Sequence, residues 1–255
     1  MNVVKNVALI SRIFRVLEEP QQFFADKLKL YKEPSLIVKL RNGLSFIIHS
    51  GNSDINSIGE IFLSGGYDSF WESIDKNFTV VDIGANIGIL SVGAAEKGAR
   101  VFGFEPNPVI YPMLLENISR NNFNQRISVY PLGIAGGKGY RPMYFEENHW
   151  GGATLLDQNI DKKTKYDVKC IGLQDIFDII GLNAIDILKI DCEGAEGEIF
   201  ANATDETLKK IKKIFLEYHE PDGSKSELRA RLEKNNFVVE EIAAFPALWA
   251  FRKEK

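Results

Sequence analysis

The sequence predicts an α/β fold built on a mostly parallel, seven-stranded sheet with helices on both faces and an antiparallel strand at one edge. Two observations lead to this prediction. From Phe78 onward, short apolar runs alternate with segments of helical periodicity, which is typical of parallel strands joined by crossover helices. The first apolar run also ends in a glycine-rich turn at 82–88, DIGANIG, which leads directly into a helical segment.

The strands of the main series are predicted at the apolar runs 79–83, 100–104, 127–132, 186–190, 213–218, 237–242 and 248–252. Helices are predicted between them, at 87–97, 108–121, 172–180, 194–201, 205–210 and 224–235. The last two strands are joined by a few residues around Pro246, and this spacing favours an antiparallel hairpin at the sheet edge. A short run at 167–171 predicts a further strand outside the main series.

The N-terminal part of the chain has a different pattern. Residues 4–31 have helical spacing that is interrupted near Pro20, and Asn42–Gly43 lies between two alternating apolar runs, which indicates a hairpin over 35–49. Residues 54–77 are predicted to be mostly helical. We therefore expect residues 1–77 to form a helical and β-hairpin extension, and residues 78–255 to form the main domain.

Composition excludes several classes of protein. At 45% hydrophobic and 26% charged residues, the 255-residue chain has an ordinary globular composition, and its net charge of −4 gives no electrostatic reason to expect a nucleic-acid partner. Cys170 and Cys192 are expected to be small core residues rather than a disulfide. The sequence shows neither an export signal nor a membrane span, so a cytoplasmic location is expected.

The glycine-rich turn indicates a nucleoside cofactor. The dinucleotide-binding fingerprint would need glycine at position 86 and glycine or alanine at position 89, where this chain has Asn86 and Ile89. A cofactor that contains a pyrophosphate is therefore disfavoured. S-adenosylmethionine has a ribose and an amino-acid tail but no phosphate, and it suits this turn. Glu105 ends the next strand, where its two oxygens can accept from ribose hydroxyls. The predicted cofactor residues are Asp82, Gly84, Ala85, Asn86, Gly88, Glu105 and Asn107, the last of these lining the adenosine pocket.

Three blocks of sequence together resemble the FkbM family of S-adenosylmethionine-dependent methyltransferases. They are VVDIGANIGILSVGAA at 80–95, VFGFEPNPVIYPMLLENISRNN at 101–122 and IDILKIDCEGAEGEIF at 185–200. The resemblance implies a Rossmann-like class I methyltransferase fold for the main domain and a hydroxyl acceptor on a sugar, glycan or small metabolite. By analogy with class I folds, Gly133 should lie near the adenine.

Transfer to a hydroxyl needs a base, and three residues are candidates for it. Asp191 and Glu193 end a central strand, where open α/β sheets place their ligands, and His219 follows the next strand. Asp191, Glu193, Glu217 and His219 could instead hold a divalent metal, but no ligand spacing indicates this, so no metal ligand is assigned. The neighbouring Glu196 and Glu198 are expected to be solvated acids at a helix N-terminus.

Other functions stay open at this point. One alternative is a nicotinamide-dependent oxidoreductase, which Asn86 and Ile89 argue against. Another is a non-catalytic binding protein on a methyltransferase fold.

Residues 147–155, with His149 and Trp150, are expected to form a mobile loop facing the acceptor. The hairpin at 35–49 could pair across a homodimer.

Overall fold

The computed structural model of the protein describes residues 3–146, 149–155, 164–219, 224–243 and 245–252. Its strands are β1 (Ser35–Lys39), β2 (Ser45–His49), β3 (Thr79–Ile83), β4 (Arg100–Phe104), β5 (Ile127–Tyr130), β6 (Gly133–Ile134), β7 (Gly139–Glu146), β8 (His149–Thr154), β9 (Thr164–Ile171), β10 (Ile185–Ile190), β11 (Ile211–Glu217), β12 (Phe237–Ile242) and β13 (Ala247–Arg252). Its helices are α1 (Val3–Val16), α2 (Pro20–Lys27), α3 (Asp54–Ile58), α4 (Asp68–Glu72), α5 (Ile89–Glu96), α6 (Tyr111–Arg120), α7 (Asp175–Ile180), α8 (Glu196–Asn202), α9 (Asp205–Lys209) and α10 (Ser224–Lys234). A π-helical turn, Gly59–Leu63, follows α3.

The main sheet has seven strands in the order β12–β13–β11–β10–β3–β4–β5. The five strands from β11 to β5 are parallel, whereas β13 runs antiparallel to both β11 and β12. The chain leaves β3 towards β4 and β5 and later returns to β10 on the other side of β3. The carboxyl ends of β3 and β10 therefore meet where the strand order reverses, which is where such sheets bind ligands. The predicted fold class is confirmed.

A second, four-stranded sheet has the order β6–β9–β7–β8. The strand predicted at 167–171 belongs to it, but the expectation of a loop at 147–155 is wrong for the described part of that segment. There, β8 pairs antiparallel with β7, with Tyr144 opposite Thr154 and Glu146 opposite His149. The neighbouring strand satisfies the backbone groups of β8, so the glycines at 151 and 152 do not prevent pairing. Residues 147 and 148 lie outside the described residues.

The N-terminal hairpin is present as predicted, with β1 and β2 antiparallel around Gly43 at φ +94°. The outer edge of β2 docks on helix α6 through side chains. Asn117 accepts from the backbone N–H of Ile47 at 2.7 Å and donates to its carbonyl at 3.0 Å. Asn121 does the same with Ser45, at 2.9 and 2.8 Å. Two asparagines one turn apart on a helix thus serve as the pairing partner of a strand.

The hydrophobic core lies on both faces of the main sheet. One cluster joins residues of the N-terminal segment, including Phe46 and Phe70, to Val80 and Leu90 of the main domain. The other packs α7, α8 and α10 against the opposite face. The N-terminal segment therefore shares a core with the main sheet. Within the described residues, no helix has the length and apolar character needed to cross a membrane.

Candidate active site

The glycine-rich loop after β3 has a left-handed backbone at three positions, which its glycine and asparagine residues can adopt. Gly84, Asn86 and Gly88 all have left-handed φ angles, of +74°, +51° and +88°. A Cβ on Gly84 would lie 1.8 Å from the backbone oxygen of Asp191, so only glycine lets the ends of β3 and β10 approach this closely. Ala85 is buried next to Gly84, and the backbone N–H groups of both donate to the Phe104 carbonyl at 3.0 Å.

Glu105 ends β4 beside this loop, and both of its oxygens are held by backbone groups. Oε2 accepts from the N–H of Asn86 and Oε1 from the N–H of Asn107, each at 2.8 Å. The side chain is almost fully buried, and burial raises the pKa of Glu105 to about 7 despite these two bonds. A carboxylate oxygen has two lone pairs, so each oxygen can still accept one ribose hydroxyl.

Asp82 lies beneath the loop rather than in the cleft. It is fully buried, and Oδ2 accepts from Ser91 Oγ at 2.6 Å while Oδ1 lies 3.4 Å from Nζ of Lys189. Lys189 also donates to the carbonyl oxygen of Gly84 at 3.1 Å and approaches Asp191 at 3.4 Å. Burial opposes the charge of Lys189, but Asp191 and Asp82 raise its pKa above the usual value. This ion group therefore fixes the loop from below.

Lys189 was not among the predicted site residues. The available signal was a lysine inside the apolar run IDILKI of a strand predicted to be central, because a buried lysine needs an ionic partner. Its neighbour in the sheet is Asp82 of β3, with which it is in register. The two charges of this pair come from different sequence motifs, and the pairing becomes visible only once the strand order is known.

The other predicted cofactor residues occupy distinct places. Gly133 lines the cleft, and a Cβ there would lie 2.8 Å from Sγ of Cys170. Gly88 is the N-cap of α5, and a Cβ there would lie 2.6 Å from Leu114. The side chain of Asn107 is fully buried, with Oδ1 accepting from the N–H of Val109 at 3.0 Å. Asn107 does not line the described cleft, and it reaches the site through its backbone bond to Glu105.

A cleft of about 570 Å³, measured with its solvent-open part, lies at the carboxyl ends of these strands. The lining joins the predicted cofactor and catalytic residues to apolar walls: Ile83, Gly84, Asn86, Phe104, Glu105, Pro106, Ile110, Leu132, Gly133, Ile134, Met143, Leu155, Asp191, Cys192 and Glu193. Apolar walls suit an adenine, and Glu105 suits a ribose. The residues present therefore fit S-adenosylmethionine.

The three candidate catalytic residues are brought together. Nε2 of His219 lies 3.7 Å from Oδ1 of Asp191 and 3.6 Å from Oε2 of Glu193. Burial would lower the pKa of His219, but its hydrogen bond to Glu196 and the charges of Glu193 and Asp191 outweigh burial and raise it to about 9. Burial, with the charge of Asp191, raises the pKa of Glu193 to about 7. Glu193 and His219 therefore have pKa values of about 7 and about 9, in the range where a general base can operate.

The expectation of solvated acids is wrong for Glu196, whereas the side chain of Glu198 is 36% exposed and stays in contact with solvent. Glu196 is 2% exposed and accepts from the backbone N–H groups of Cys192 and Gly194. Glu198 forms an ion pair with Arg141 and accepts from the N–H of Gly136 at 2.9 Å. The reason is tertiary, because the loop after β10 folds back over the start of α8 and because β7 packs beside that helix.

The N-terminal segment reaches the same end of the sheet. Tyr67 donates a hydrogen bond to Oε1 of Glu217, the last residue of β11, and both side chains are buried. Glu60 lies on the π-helical turn, and burial together with the charge of Asp191 raises its pKa. Sequence reasoning gave neither Tyr67 nor Glu60 a role at the site. The 150 positions between Tyr67 and Glu217 leave no local signal for their contact.

The residues considered for a metal are only partly grouped. Among the described residues, ligand atoms of Asp191, Glu196 and His219 lie within 4.8 Å of one another. Both oxygens of Glu196 already accept backbone N–H groups, and Glu217 is hydrogen-bonded to Tyr67. We assign no metal ligand, and this stays a prediction. Both cysteines are free; Cys170 is a buried core residue as expected, whereas Cys192 is half-buried and lines the cleft.

A left-handed glycine-rich loop after β3, beside a carboxylate at the end of β4 and an acidic cleft, suits a methyltransferase that uses S-adenosylmethionine. Residues 82–239 match the family model of the methyltransferase FkbM domain. The chain therefore belongs to the FkbM methyltransferase family, and S-adenosylmethionine is its cofactor. The oxidoreductase and the non-catalytic alternatives are not favoured.

Known proteins agree with this assignment. Methyltransferase sdnD of Sordaria araneosa is 28% identical over 210 residues, covering 71% of this chain and 80% of that protein. The 31-O-demethyl-FK506 methyltransferase FkbM of Streptomyces tacrolimicus is 27% identical over 210 residues, with the same coverage. The crystal structure of a SAM-dependent methyltransferase from Agrobacterium tumefaciens superimposes with a TM-score of 0.51 at 12% identity, covering 88% of this chain and 72% of that one. This last similarity supports the fold alone.

Proposed function

We propose that the protein methylates a hydroxyl group of a sugar, glycan or other small metabolite. The observation that carries the proposal is the position of His219 beside Asp191 and Glu193, two residues that line the cleft together with Glu105. A hydroxyl must lose its proton as it is methylated, and such a cluster can take that proton. The name of the relative from Streptomyces tacrolimicus, which refers to a 31-O-demethyl substrate, also points to an oxygen acceptor.

When bound, S-adenosylmethionine supplies an electrophilic methyl group on its sulfonium. The residues of this chain supply position and proton transfer. Glu105 would hold the ribose and the loop at Gly84–Gly88 would hold the amino-acid tail near the start of α5, while Lys189 keeps that loop in place from beneath. His219 takes the proton of the acceptor hydroxyl, while Asp191 and Glu193 stabilise the imidazolium that forms.

The acceptor pocket is proposed to lie between the main domain, residues 78–255, and the extension formed by residues 1–77. Tyr67 and Glu60 of the extension lie at the strand ends that carry the catalytic cluster. The second sheet covers the cofactor side, since Met143 of β7 and Leu155 line the cleft. An acceptor would thus contact parts of the chain outside the cofactor motifs. Pairing of two copies through the hairpin at 35–49 stays a separate prediction, which light scattering can test.

The test is a methyl-transfer assay on purified protein with a panel of hydroxyl acceptors, including monosaccharides, oligosaccharides and macrolide alcohols. A matched panel replaces each hydroxyl with an amine. We expect methyl ethers, identified by mass spectrometry and by the chemical shift of the new O-methyl group. Methylation confined to the amines would refute the oxygen assignment. Absence of S-adenosylhomocysteine binding in calorimetry would remove the basis of the proposal.

A further inference from the structure

We propose that Glu196 is a positioning residue that fixes the tautomer of His219, so that the free lone pair of the imidazole faces the cleft. This inference rests on the proposed function, in which His219 takes the proton of the acceptor. Glu196 itself reaches neither the acceptor nor the cofactor in this assignment. It acts through the orientation of His219.

The first argument is the hydrogen bond between the two side chains. Nδ1 of His219 lies 3.2 Å from Oε1 of Glu196. An ionised carboxylate can only accept, so Nδ1 must carry the proton of the neutral ring. Nε2 then has the lone pair. It lies 3.6–3.7 Å from Glu193 and Asp191, beyond direct hydrogen-bond distance, on the side where both residues line the cleft.

The second argument is that Glu196 cannot turn away. Its Oε1 also accepts from the N–H of Cys192 at 2.8 Å, and its Oε2 accepts from the N–H of Gly194 at 2.9 Å. These N–H groups converge because the loop after β10 turns through left-handed φ angles, +53° at Glu193 and +110° at Gly194. At 2% exposure, Glu196 has little water to exchange with. The carboxylate is therefore a fixed acceptor for the imidazole.

The charged groups around His219 come from several elements. Asp191 and Glu193 lie on the loop after β10, and Glu196 lies at the start of α8. Glu60 interacts with His219 from the π-helical turn, and Lys189 lies on β10 close to Asp191. Carboxylates predominate in this set, and Glu196 is the one hydrogen-bonded to the ring. Neutralising Glu196 should therefore make His219 easier to deprotonate.

The experiment measures the tautomer and the titration of His219 by long-range proton–nitrogen NMR on protein labelled with ¹⁵N-histidine. The sequence contains three histidines, His49, His149 and His219, so the signal is assigned by its loss in His219→Gln. In wild-type protein we expect a midpoint near 9 and, above it, the Nδ1–H tautomer. In Glu196→Gln we expect the midpoint to fall by at least about one pH unit. Glu206→Gln, an exposed acid on α9, is the matched control and should change neither value.

An Nε2–H tautomer in neutral wild-type His219 overturns the inference, and this measurement needs no variant to fold. An unchanged midpoint in folded Glu196→Gln overturns it as well. With an acceptor found in the panel above, and at a pH above the His219 midpoint of both proteins, Glu196→Gln should lower kcat at least tenfold while the KM for S-adenosylmethionine stays the same. If the NMR results are as expected but wild-type protein methylates no hydroxyl, the positioning of His219 stands and the proposed function fails.

Discussion

The backbone N–H of Asn86 donates a 2.8 Å hydrogen bond to Oε2 of Glu105. This bond joins the loop after β3 to the end of β4, and the N–H of Asn107 holds the other oxygen from the opposite side. The carboxylate is therefore oriented before any ligand arrives. Because this carboxylate is a hydrogen-bond acceptor that is oriented in advance, it can bind a ribose hydroxyl without a further loss of side-chain entropy.

Glu105→Gln should weaken binding of S-adenosylhomocysteine about tenfold or more. The amide keeps the shape of the side chain but loses the charge, and its NH₂ group must face one of two backbone donors; bonds to charged groups contribute about 1.5–3 kcal/mol. Isothermal titration calorimetry measures the change. Glu116→Gln is the control, since Glu116 is half exposed on α6 and pairs with Arg120. Equal affinities of the two variants would show that Glu105 does not bind the cofactor.

Gly84→Ala should destabilise the protein and abolish cofactor binding. The left-handed backbone alone costs a non-glycine residue about 1–3 kcal/mol, and the added methyl would overlap the carbonyl of Asp191. Urea unfolding gives the loss of stability. Gly137→Ala is the matched control, because its Cβ would meet nothing within 4 Å. A Gly84→Ala protein as stable as this control would mean that β3 and β10 do not approach as described.

Lys189→Met should lower the free energy of unfolding by about 3 kcal/mol or more, because it leaves Asp82 buried without a cation. Adding Asp82→Asn should recover part of the loss, since the remaining buried charge is then removed as well. Lys212→Met removes an exposed cation paired with Asp186 and should cost less than about 1 kcal/mol. Chemical unfolding measures the free energy of unfolding of the wild type, the two single lysine variants and the double variant. If the double variant is no more stable than Lys189→Met, the pairing of Lys189 with Asp82 is contradicted.

The rate of methyl transfer should rise with pH up to about 9. The pKa of His219 is raised to about 9, so the ring is mostly protonated near neutrality and becomes a base only as the pH approaches that value. His219→Gln should lower kcat about 100-fold or more and remove this rise. A pH profile of kcat at saturating cofactor measures both effects. A profile that is flat between pH 7 and 9 in wild-type protein would exclude His219 as the base.

Dialysis against EDTA should leave methyl transfer unchanged. Two of the possible ligand atoms already have protein partners in the described structure, because Glu196 accepts two backbone N–H groups and Nδ1 of His219 faces Glu196. The measurement compares initial rates before dialysis, after it, and after addition of Mg²⁺, Mn²⁺ or Zn²⁺. A loss of activity restored by one of these ions would establish the metal site that the sequence left open.

The main sheet was predictable because each of its strands carries its own signal. A buried parallel strand such as β10 needs a continuous apolar run, and the left-handed loop after β3 needs its glycines. The second sheet was missed in part because β7, GYRPMYFE, contains a proline and mixes apolar with charged residues, and because β8, HWGGAT, contains two adjacent glycines. Their pairing therefore depends on neighbours rather than on their own pattern.

The site residues that could be predicted are those with an ionisable side chain directly after an apolar strand. Glu105, Asp191 and His219 follow apolar runs and lie where the sequence placed them. Lys189, Glu196 and Tyr67 gained their roles from contacts with residues on other elements. Such contacts depend on strand order and on the packing of the N-terminal segment. Neither the strand order nor this packing can be derived from the local sequence.

The docking of β2 on helix α6 has a consequence for how this strand can vary. Asn117 and Asn121 hold the backbone of Ile47 and Ser45, and Asn117 also donates to the carbonyl of Ile87 in the glycine-rich loop at 2.8 Å. The attachment therefore uses backbone groups of β2 rather than its side chains. Its alternate positions Ser45 and Ile47, which lie outside the buried core, can thus change while the strand keeps its register against the loop after β3.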